Sequence, residues 1–536
     1  MAMDPASGLA WPSDRHALRG GSVPVGAVPP RAGSTVVAAA AGAGRWWRLI
    51  VPAVIGTLAF ACRLVPVLRG GGLSGVDTYD PSVYYAAAVG LFSGRMPYRD
   101  FLLLHPPGIL FALQPFAALG AVVGDPVAME SARVAFMLLG AGSSLLIYRI
   151  LLPHHRYAAA LGAAAYAVWY PAIYAERSVR LEALATFVLL LGIVAVQRSL
   201  ARPSLLALVA AGALFGLGAT IKIWGVVPVG ALVVWLAVRS GWRGAASALA
   251  GATAAIAVVI APFAPAGPQL WEMVVLDQLG RPRSPQPLVT RLVDVLGLRF
   301  LPPAEATVPA AILGAFAVVA LVLALRSRLG ELVVLVTLAN TVVLLLGPTW
   351  FIHYPAFVAA PLCLVYGAAA GELAGMRRAR WVRVPAAVMA AAAVSLLGSS
   401  MLEAREGTAF PDQLLRGVLA GRPGCVTTDN PTTLIFSNTL RRNLSEGCPL
   451  VVDLSGYIYD IHRNGGDIDR ASDPTFQRLA LTYLASGTTT ALVRFGPGDL
   501  SHQSRVVIAD WPLVDRWGQL VVRHPLPLSG NGHRPT

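Results

Sequence analysis

Apolar runs long enough to cross a bilayer recur along most of this chain, and short arginine clusters punctuate them. A spanning helix needs about 20 apolar residues, because the hydrocarbon core offers no water to satisfy a backbone in another form. Candidate runs lie at approximately 48–68, 133–152, 157–175, 181–197, 204–221, 223–239, 244–263, 306–325, 330–347, 353–371 and 383–401. The composition agrees: 56% of the 536 residues are hydrophobic, 13% are charged, and the mean hydropathy is +0.63. Soluble domains carry about 25% charged residues, so the fold class is an α-helical polytopic membrane protein with about 11 transmembrane helices.

The arginines test this threading. If the eleven runs span, then Arg45/Arg48, Arg149/Arg156, Arg198/Arg202, Arg239/Arg243, Arg326/Arg328 and Arg377/Arg378/Arg380/Arg383 all face one side. The positive-inside rule makes that side the cytoplasm. The N-terminus is then cytoplasmic, and everything after residue 402 lies outside the plasma membrane. A twelfth apolar run, 107–124, would flip every later loop if it spanned. It begins at Pro106-Pro107 and carries Pro115, so we place it as a juxtamembrane or re-entrant segment on the outer side. Twelve spans with a compensating change elsewhere is the alternative. The net charge of +14 is spent on these loop clusters and implies no nucleic-acid partner. Residues 1–44 are rich in Ala, Gly and Pro, lack an apolar core, and read as a disordered cytoplasmic tail with no secretory signal.

The membrane domain is expected over 45–401, with a first outer loop at 69–132. The loop 271–300 has apolar residues at helical spacing with basic ones between, and reads as an interfacial amphipathic helix or pair. Residues 402–536 change character. "CVTTDN", "PLVVDL", "TTALVRF" and "QLVVRH" read as short strands, while 431–443 and 472–486 read as helices. This predicts a small extracytoplasmic α/β domain. Cys425 and Cys448 lie within it, and a disulfide is expected if it is outside the cell. Cys62 and Cys363 lie in apolar runs and read as core residues.

Polar residues gather at the outer ends of separate runs. Asp77, Asp80, Arg95, Arg99, Asp100 and His105 occupy the first outer loop; Glu176, Arg177, Arg180 and Glu182 a short turn; Lys222, the only lysine among 42 basic residues, another; His353 and Tyr354 a fourth. A charge in hydrocarbon costs about 2.5–3.5 kcal/mol on insertion scales and wants a reason. One polar cavity open to the outer leaflet is that reason. No nucleotide is supplied on that side, so a group transfer there needs a donor activated beforehand and delivered through the membrane. A polyprenyl-phosphate sugar fits. Its phosphate leaving group calls for cations, and the attacking acceptor hydroxyl calls for a carboxylate base.

The stretch "DTYDPSVYYAAAVGLFSGRMPYRDFLLLHPPG" (77–108) resembles the first outer loop of GT-C glycosyltransferases, which include the protein O-mannosyltransferase and lipid A aminoarabinose transferase families and actinobacterial relatives. Their loop carries an acidic motif, often Asp-Glu, with tyrosine four residues after the Asp, then G-x-x-P-Y-x-D-F and H-P-P. Asp80 and Tyr84 match the spacing; Pro81 stands where the Glu is expected, so either Asp80 or Asp77 takes the catalytic role the resemblance implies. "ERSVRLEAL" (176–184), "GLGATIKIWG" (216–225) and "WFIHYPAFVAAPL" (350–362) resemble later family segments, the last approaching the donor phosphate. The resemblance covers roughly 45–400 in architecture and is specific in the first loop.

Each residue also has a plainer role. Asp80 suits a helix N-cap, Asp100 a pair with Arg99 or Arg95, and His105 a turn before Pro106-Pro107. Glu176 and Arg180 suit a helical ion pair, Lys222 snorkelling, and Trp350 and Tyr354 an aromatic belt. The sharper expectation makes Asp80 or Asp77 the general base, and Lys222, His353 and Arg180 the phosphate ligands. Tyr84, Arg99, Asp100, His105, Glu182 and Tyr354 would line the cavity. The resemblance admits a divalent metal, although no metal-ligand spacing is visible and no cofactor is assigned. The partners expected are a polyprenyl-phosphate-linked sugar, a glycan, lipid or protein acceptor, and membrane lipids. A transporter or lipid flippase is the alternative, but no internal repeat is evident; a scaffold for envelope assembly is a third reading.

Overall fold

A computed structural model describes residues 46–527 of the protein, apart from 77, 284, 300, 377–379, 463–468 and 494–498. The expected N-terminal tail lies outside the described residues. The main compact body begins at Leu49. Its helices are α1 (Val51–Arg69), α2 (Asp80–Phe92), α3 (Gly108–Val123), α4 (Asp125–Leu151), α5 (Arg156–Val168), α6 (Tyr170–Glu176), α7 (Leu181–Ala201), α8 (Leu205–Ile221) and α9 (Val226–Ile260). They continue with α10 (Leu288–Val295), α11 (Pro303–Ala324), α12 (Arg328–Leu346), α13 (Ala356–Gly375) and α14 (Arg380–Glu403). The apolar runs expected to span are helical, although 157–175 is divided between α5 and α6 and the runs 223–239 and 244–263 share α9. Among the described residues, seven helical stretches are by themselves long and apolar enough to cross a membrane. The protein is a multi-pass membrane protein.

Two irregularities explain how the remaining runs are built. Helices α5 and α6 meet at a 59° bend. Trp169 there is extended, which lets Pro171 sit in the first turn of α6, where no intrahelical N–H is needed. Within α9, Gly241 adopts φ 75° and ψ 176°, a conformation open chiefly to glycine, and the chain doubles back. Gly225, just before α9, lies against Gly218 and Ala219 at the top of α8, whereas Gly244 lies against Leu208 at its bottom. The chain then climbs beside α8. A Cβ on Gly212 would strike the Ala248 carbonyl, and one on Gly216 would meet Ala252. Small residues at matched four-residue spacing permit this close approach. The runs 223–239 and 244–263 are therefore the two arms of a hairpin.

A buried ion pair ties the bend to α1. Arg63 Nε donates to Glu176 Oε2 at 2.8 Å, Tyr166 Oη donates to Glu176 Oε1 at 2.5 Å, and Arg63 Nη1 reaches the Ala167 carbonyl at 3.1 Å. Arg63 and Glu176 are 0% and 1% exposed. Glu176 is therefore not the partner of Arg180. Helix α6 ends at Glu176 and Arg180 is extended (φ −134°, ψ 152°), so the two do not share a helical face.

The segment after α14 returns to the polar end of the helices. Its helices are α15 (Asp412–Ala420), α16 (Thr432–Phe436), α17 (Leu440–Ser445), α18 (Tyr457–Ile461), α19 (Pro474–Ala485) and α20 (His502–Ala509). Its strands are β1 (Val426–Thr428), β2 (Thr489–Leu492), β3 (Leu513–Trp517) and β4 (Leu520–Arg523), in the order β1-β2-β4-β3. The β1/β2 pair is parallel and the other two are antiparallel. Three of the four expected strands form. "PLVVDL" does not: it opens with Pro449, and Asp453 Oδ1 accepts the Gly456 N–H at 2.8 Å, closing a turn instead of a ladder. Strand β3 carries a weak sequence signal because it sits at the sheet edge with Asp515 and Arg516 inside it. The helix expected over 431–443 breaks at Asn438 (φ 59°), whose Oδ1 accepts the Asp125 N–H at 3.0 Å. Arg441 Nε reaches Asp125 Oδ1 at 2.9 Å, and Tyr85 donates to the same oxygen at 2.9 Å. Cys425 and Cys448 are disulfide-bonded.

Replacing Arg63 by Ala should lower stability by about 3–5 kcal/mol, because it strands a buried carboxylate. The double change Arg63→Met with Glu176→Gln should lose less. Denaturant titration of the purified protein in detergent checks both, and an equal loss in the two variants would contradict this account.

Candidate active site

Asp80 is the first residue of α2. The N-cap position belongs to Tyr79, and no side chain caps the helix. The carboxylate is thus left free of capping, while the helix N-terminus still favours its charge. It is 37% exposed, the open group of a largely buried cluster. Arg180, just ahead of α7, brings Nη1 to 3.8 Å from Asp80 Oδ2, and its Nη2 donates to Thr78 Oγ1 at 2.6 Å. Its guanidinium also lies over the Tyr174 ring, 4.6 Å from the centroid. Arg180 is 1% exposed, so its position is set by the fold.

His353 comes from the irregular segment between α12 and α13. Its Nδ1 lies 3.9 Å from Asp80 Oδ2 and 3.3 Å from Arg180 Nη1, while its Nε2 lies 3.7 Å from Glu182 Oε1. Burial holds the His353 imidazole well below the ordinary histidine range. Asp80 opposes that shift, and Arg180, Lys222 and Arg281 reinforce it.

Lys222 ends α8 in an extended conformation, where a cation suits the helix dipole. It does not snorkel. Its ammonium bonds the Glu182 carboxylate and lies 4.3 Å from the Trp224 ring centroid and 4.4 Å from that of Tyr354. Glu182 is thus shared by Lys222 and His353. Tyr354 is buried among these groups, and Trp350 is buried with its Nε1 on Asp294 Oδ2 at 2.8 Å. Neither forms an exposed belt.

Tyr84 is buried one turn into α2 and packs edge-on against His105 at 5.5 Å. Burial depresses the His105 imidazole, and the cations of Arg281 and Lys222 add to the shift. Arg99 and Asp100 stand apart from this cluster. Arg99 grips Asp100 with Nε and Nη2 at 2.8 and 2.9 Å, and Asp100 Oδ2 accepts the Met96 N–H at 2.7 Å. They brace a turn in which Tyr98 has φ 71° and its hydroxyl donates to the His105 carbonyl at 2.8 Å. Asp77 lies outside the described residues.

Two participants carried no sequence signal. Arg281, in the Pro-rich loop before α10, is 9% exposed and lies over the Tyr459 ring at 4.5 Å. Its Nε is buried with no hydrogen-bond partner among the described residues. Asp453 faces the cluster from the C-terminal segment. Burial raises its carboxyl above the usual range, and the nearby charge of Asp80 raises it further. Among the described residues, no three His, Cys, Asp or Glu side chains are disposed to hold a metal ion.

Residues 104–267 match the dolichyl-phosphate-mannose-protein mannosyltransferase family. No curated protein matches the chain in sequence. The structure of ArnT from Cupriavidus metallidurans in the apo state superposes with a TM-score of 0.57 at 17% identity, over 90% of this chain and 98% of that one. The same protein bound to undecaprenyl phosphate gives 0.55 at 16% identity with equal coverage. The chain has the fold of the GT-C superfamily. A further match is the Archaeoglobus fulgidus oligosaccharyltransferase tethered to an acceptor peptide containing the NVT sequon. Its TM-score is 0.51 at 11% identity, over 83% of this chain and 69% of that one. In this chain the first-loop acid and the three later polar segments meet within one cluster.

The Asp100 carboxyl is pulled down to about 2, first by Arg99 and then by the Met96 N–H. A depressed folded-state pKa adds stability above the unfolded value of about 3.9, and that stability is lost as pH falls through the folded value. Wild type should therefore exceed Asp100→Asn in thermal midpoint at roughly pH 5, with the gap narrowing toward roughly pH 3. A gap independent of pH would exclude this ion pair as its source.

Proposed function

We propose that this GT-C protein transfers a sugar from a polyprenyl-phosphate carrier to a hydroxyl acceptor on the outer face of the plasma membrane. One observation carries the reading: an accessible carboxylate, Asp80, stands within 3.8–3.9 Å of Arg180 and His353, with Lys222 and Arg281 buried behind them. The carboxylate supplies a base, and the cations supply a leaving-group site. The superposed ArnT structure with undecaprenyl phosphate supports the carrier class.

In the proposed reaction, Asp80 takes the proton from the acceptor hydroxyl as its oxygen attacks the anomeric carbon. The bond from that carbon to the phosphate oxygen breaks, and the electron pair leaves with the carrier phosphate. Arg180 and Arg281 offer that phosphate fixed positive charge. A preorganised cation acts strongly here because the site is shielded from water. Neutral His353 can donate a ring N–H to the phosphate without bringing a charge of its own. Lys222 becomes available only as Glu182 yields its ammonium. Asp77 is the alternative base in the same loop.

Two consequences can be measured. Asp80→Asn should lower transfer by about 10²–10⁴-fold, the usual weight of a general base. The assay is mass spectrometry of envelope glycans and carrier-linked sugars in a deletion strain complemented with each variant. A carrier-linked sugar that accumulates while one glycan disappears would name donor and acceptor together. Wild-type transfer by a protein with both Asp77 and Asp80 changed to Ala would sink the mechanism.

The second concerns undecaprenyl phosphate as a binding probe, followed through tryptophan fluorescence of the purified protein. Arg281→Gln should weaken binding by about tenfold or more, as loss of a charged hydrogen bond does. Glu182→Gln should tighten it, since it removes the anion already seated among the cations. Weaker binding by Glu182→Gln would mean that Glu182 positions Lys222 for the phosphate and does not compete with it.

A further inference from the structure

At the other end of the helices, away from Asp80, lies a cavity that the proposed reaction does not use. Helix α13 begins just after His353, and Glu372 in its last turn is about 24 Å along it at 1.5 Å per residue. There a cavity of about 120 Å³ lies between α4, α12 and α13. Leu151, Val333 and Leu364 give it apolar walls, and His154, Ser327 and Glu372 give it polar ones.

The charges around it have mixed sign. Glu331, in the first turn of α12, is taken by Arg239 at 2.5 and 2.8 Å. Glu372 is half-buried and has no ion-pair partner among the described residues. Ser327 Oγ accepts the Gly330 N–H at 3.1 Å, and its O–H remains to donate. Arg326 and Arg328 flank Ser327 and are exposed. Arg326 Nη1 reaches Met376 Sδ at 3.7 Å, which puts its guanidinium at the end of α13 that bears Glu372.

The depth of the cavity follows from its neighbours. Tyr157 and Trp242 are exposed, each with an adjacent arginine over its ring, Arg156 at 5.0 Å and Arg243 at 5.7 Å. Exposed aromatic rings paired with arginines belong at the headgroup level of a bilayer. His154 is three residues from Tyr157, and the Arg239–Glu331 pair ties the turn at Trp242 to the start of α12. The cavity therefore lies at headgroup depth on the arginine-rich face.

A ligand there must satisfy a carboxylate within the cavity and guanidinium groups at its edge. A headgroup with phosphate alone would meet Glu372 as a like charge. A choline headgroup offers no N–H, and no Phe, Tyr or Trp lines the cavity to receive a quaternary ammonium. A primary ammonium on a short arm from a phosphate meets both demands. An apolar cavity of about 150 Å³ takes one benzene, so this one has room for an ammonium and its two carbons. The phosphate then stays at the edge, within reach of Arg326, Arg328 and the Ser327 hydroxyl.

We propose that this cavity is a binding site for a primary-amine phospholipid, with the ammonium on Glu372 and the phosphate beside Arg326 and Arg328. It is separate from the donor site and does not depend on the reaction proposed above.

The test is native mass spectrometry of the purified full-length protein after delipidation. Phosphatidylethanolamine, phosphatidylcholine and phosphatidylglycerol of equal chain length are offered in equal amounts. Wild type should retain phosphatidylethanolamine about tenfold over either of the others, the weight of a hydrogen bond to a charged group. Glu372→Gln should lose that preference while binding undecaprenyl phosphate within about twofold of wild type. Ala368→Leu, which fills the cavity without touching a charge, should also lose it. Arg326→Gln with Arg328→Gln should weaken retention of phosphatidylethanolamine. Equal or better retention of phosphatidylglycerol by the wild type would overturn the proposal, and so would an undiminished preference in Glu372→Gln. Displacement of the lipid by an equal concentration of soluble phosphoethanolamine would replace the lipid with a soluble ligand and overturn it as well.

Discussion

The Arg180 guanidinium is the contact on which the site depends. It is a permanent charge, 1% exposed, at the end of a bundle of apolar helices. Such a charge persists only with partners, and it takes them from three separate parts of the chain: Thr78 and Asp80 in the first loop, His353 before α13, and the Tyr174 face on α6. Removing it from water forces these segments together. Its own place follows from the bend between α5 and α6 and the short turn after Glu176, so the backbone break behind Pro171 is also what aims the guanidinium at Asp80.

Burial divides the other charges into two kinds. Arg63 with Glu176 and Arg441 with Asp125 are structural pairs, each carboxylate also taking a tyrosine hydroxyl. They hold separate segments in register, and in the first pair both carboxylate oxygens are occupied. Glu182 differs because one carboxylate answers to both Lys222 and His353, and Arg281 differs because its Nε has no hydrogen-bond partner among the described residues. An incompletely satisfied buried cation costs free energy in the empty state. A bound anion would recover that cost.

The helices were legible because an apolar stretch of spanning length has few other solutions, and the hairpin at Gly241 was legible from the arginines that flank it. The first loop was legible by its Asp80 to Tyr84 spacing. Its "PYRDF" element was less so: it looked like cavity lining, but Arg99 and Asp100 spend their charges on each other to brace the turn at Tyr98. Arg281 was invisible because a lone arginine in a Pro-rich loop has no periodicity to betray its burial. Asp453 was hidden among its neighbours, since the short apolar run in "PLVVDL" reads as a strand until a turn-closing aspartate and a glycine three residues later are weighed together. Position in sequence carries the helical layer well. It carries poorly the points where distant loops meet.

Those meeting points give the site its polarity. Arg180, Lys222 and His353 are fixed by ends of membrane helices and the segments between them, so their spacing follows from helix packing. Asp453 and Tyr459 belong to a strip held by a turn at Gly456 and by Leu450 against Gly90. In the proposed reaction, a carrier with a long apolar tail would approach from the lipid side and its acceptor from water. The cationic wall at the helix ends and the wall from the C-terminal segment leave Asp80 between them, on a helix that touches both. The two walls are built from different parts of the chain, so a change in one need not disturb the other.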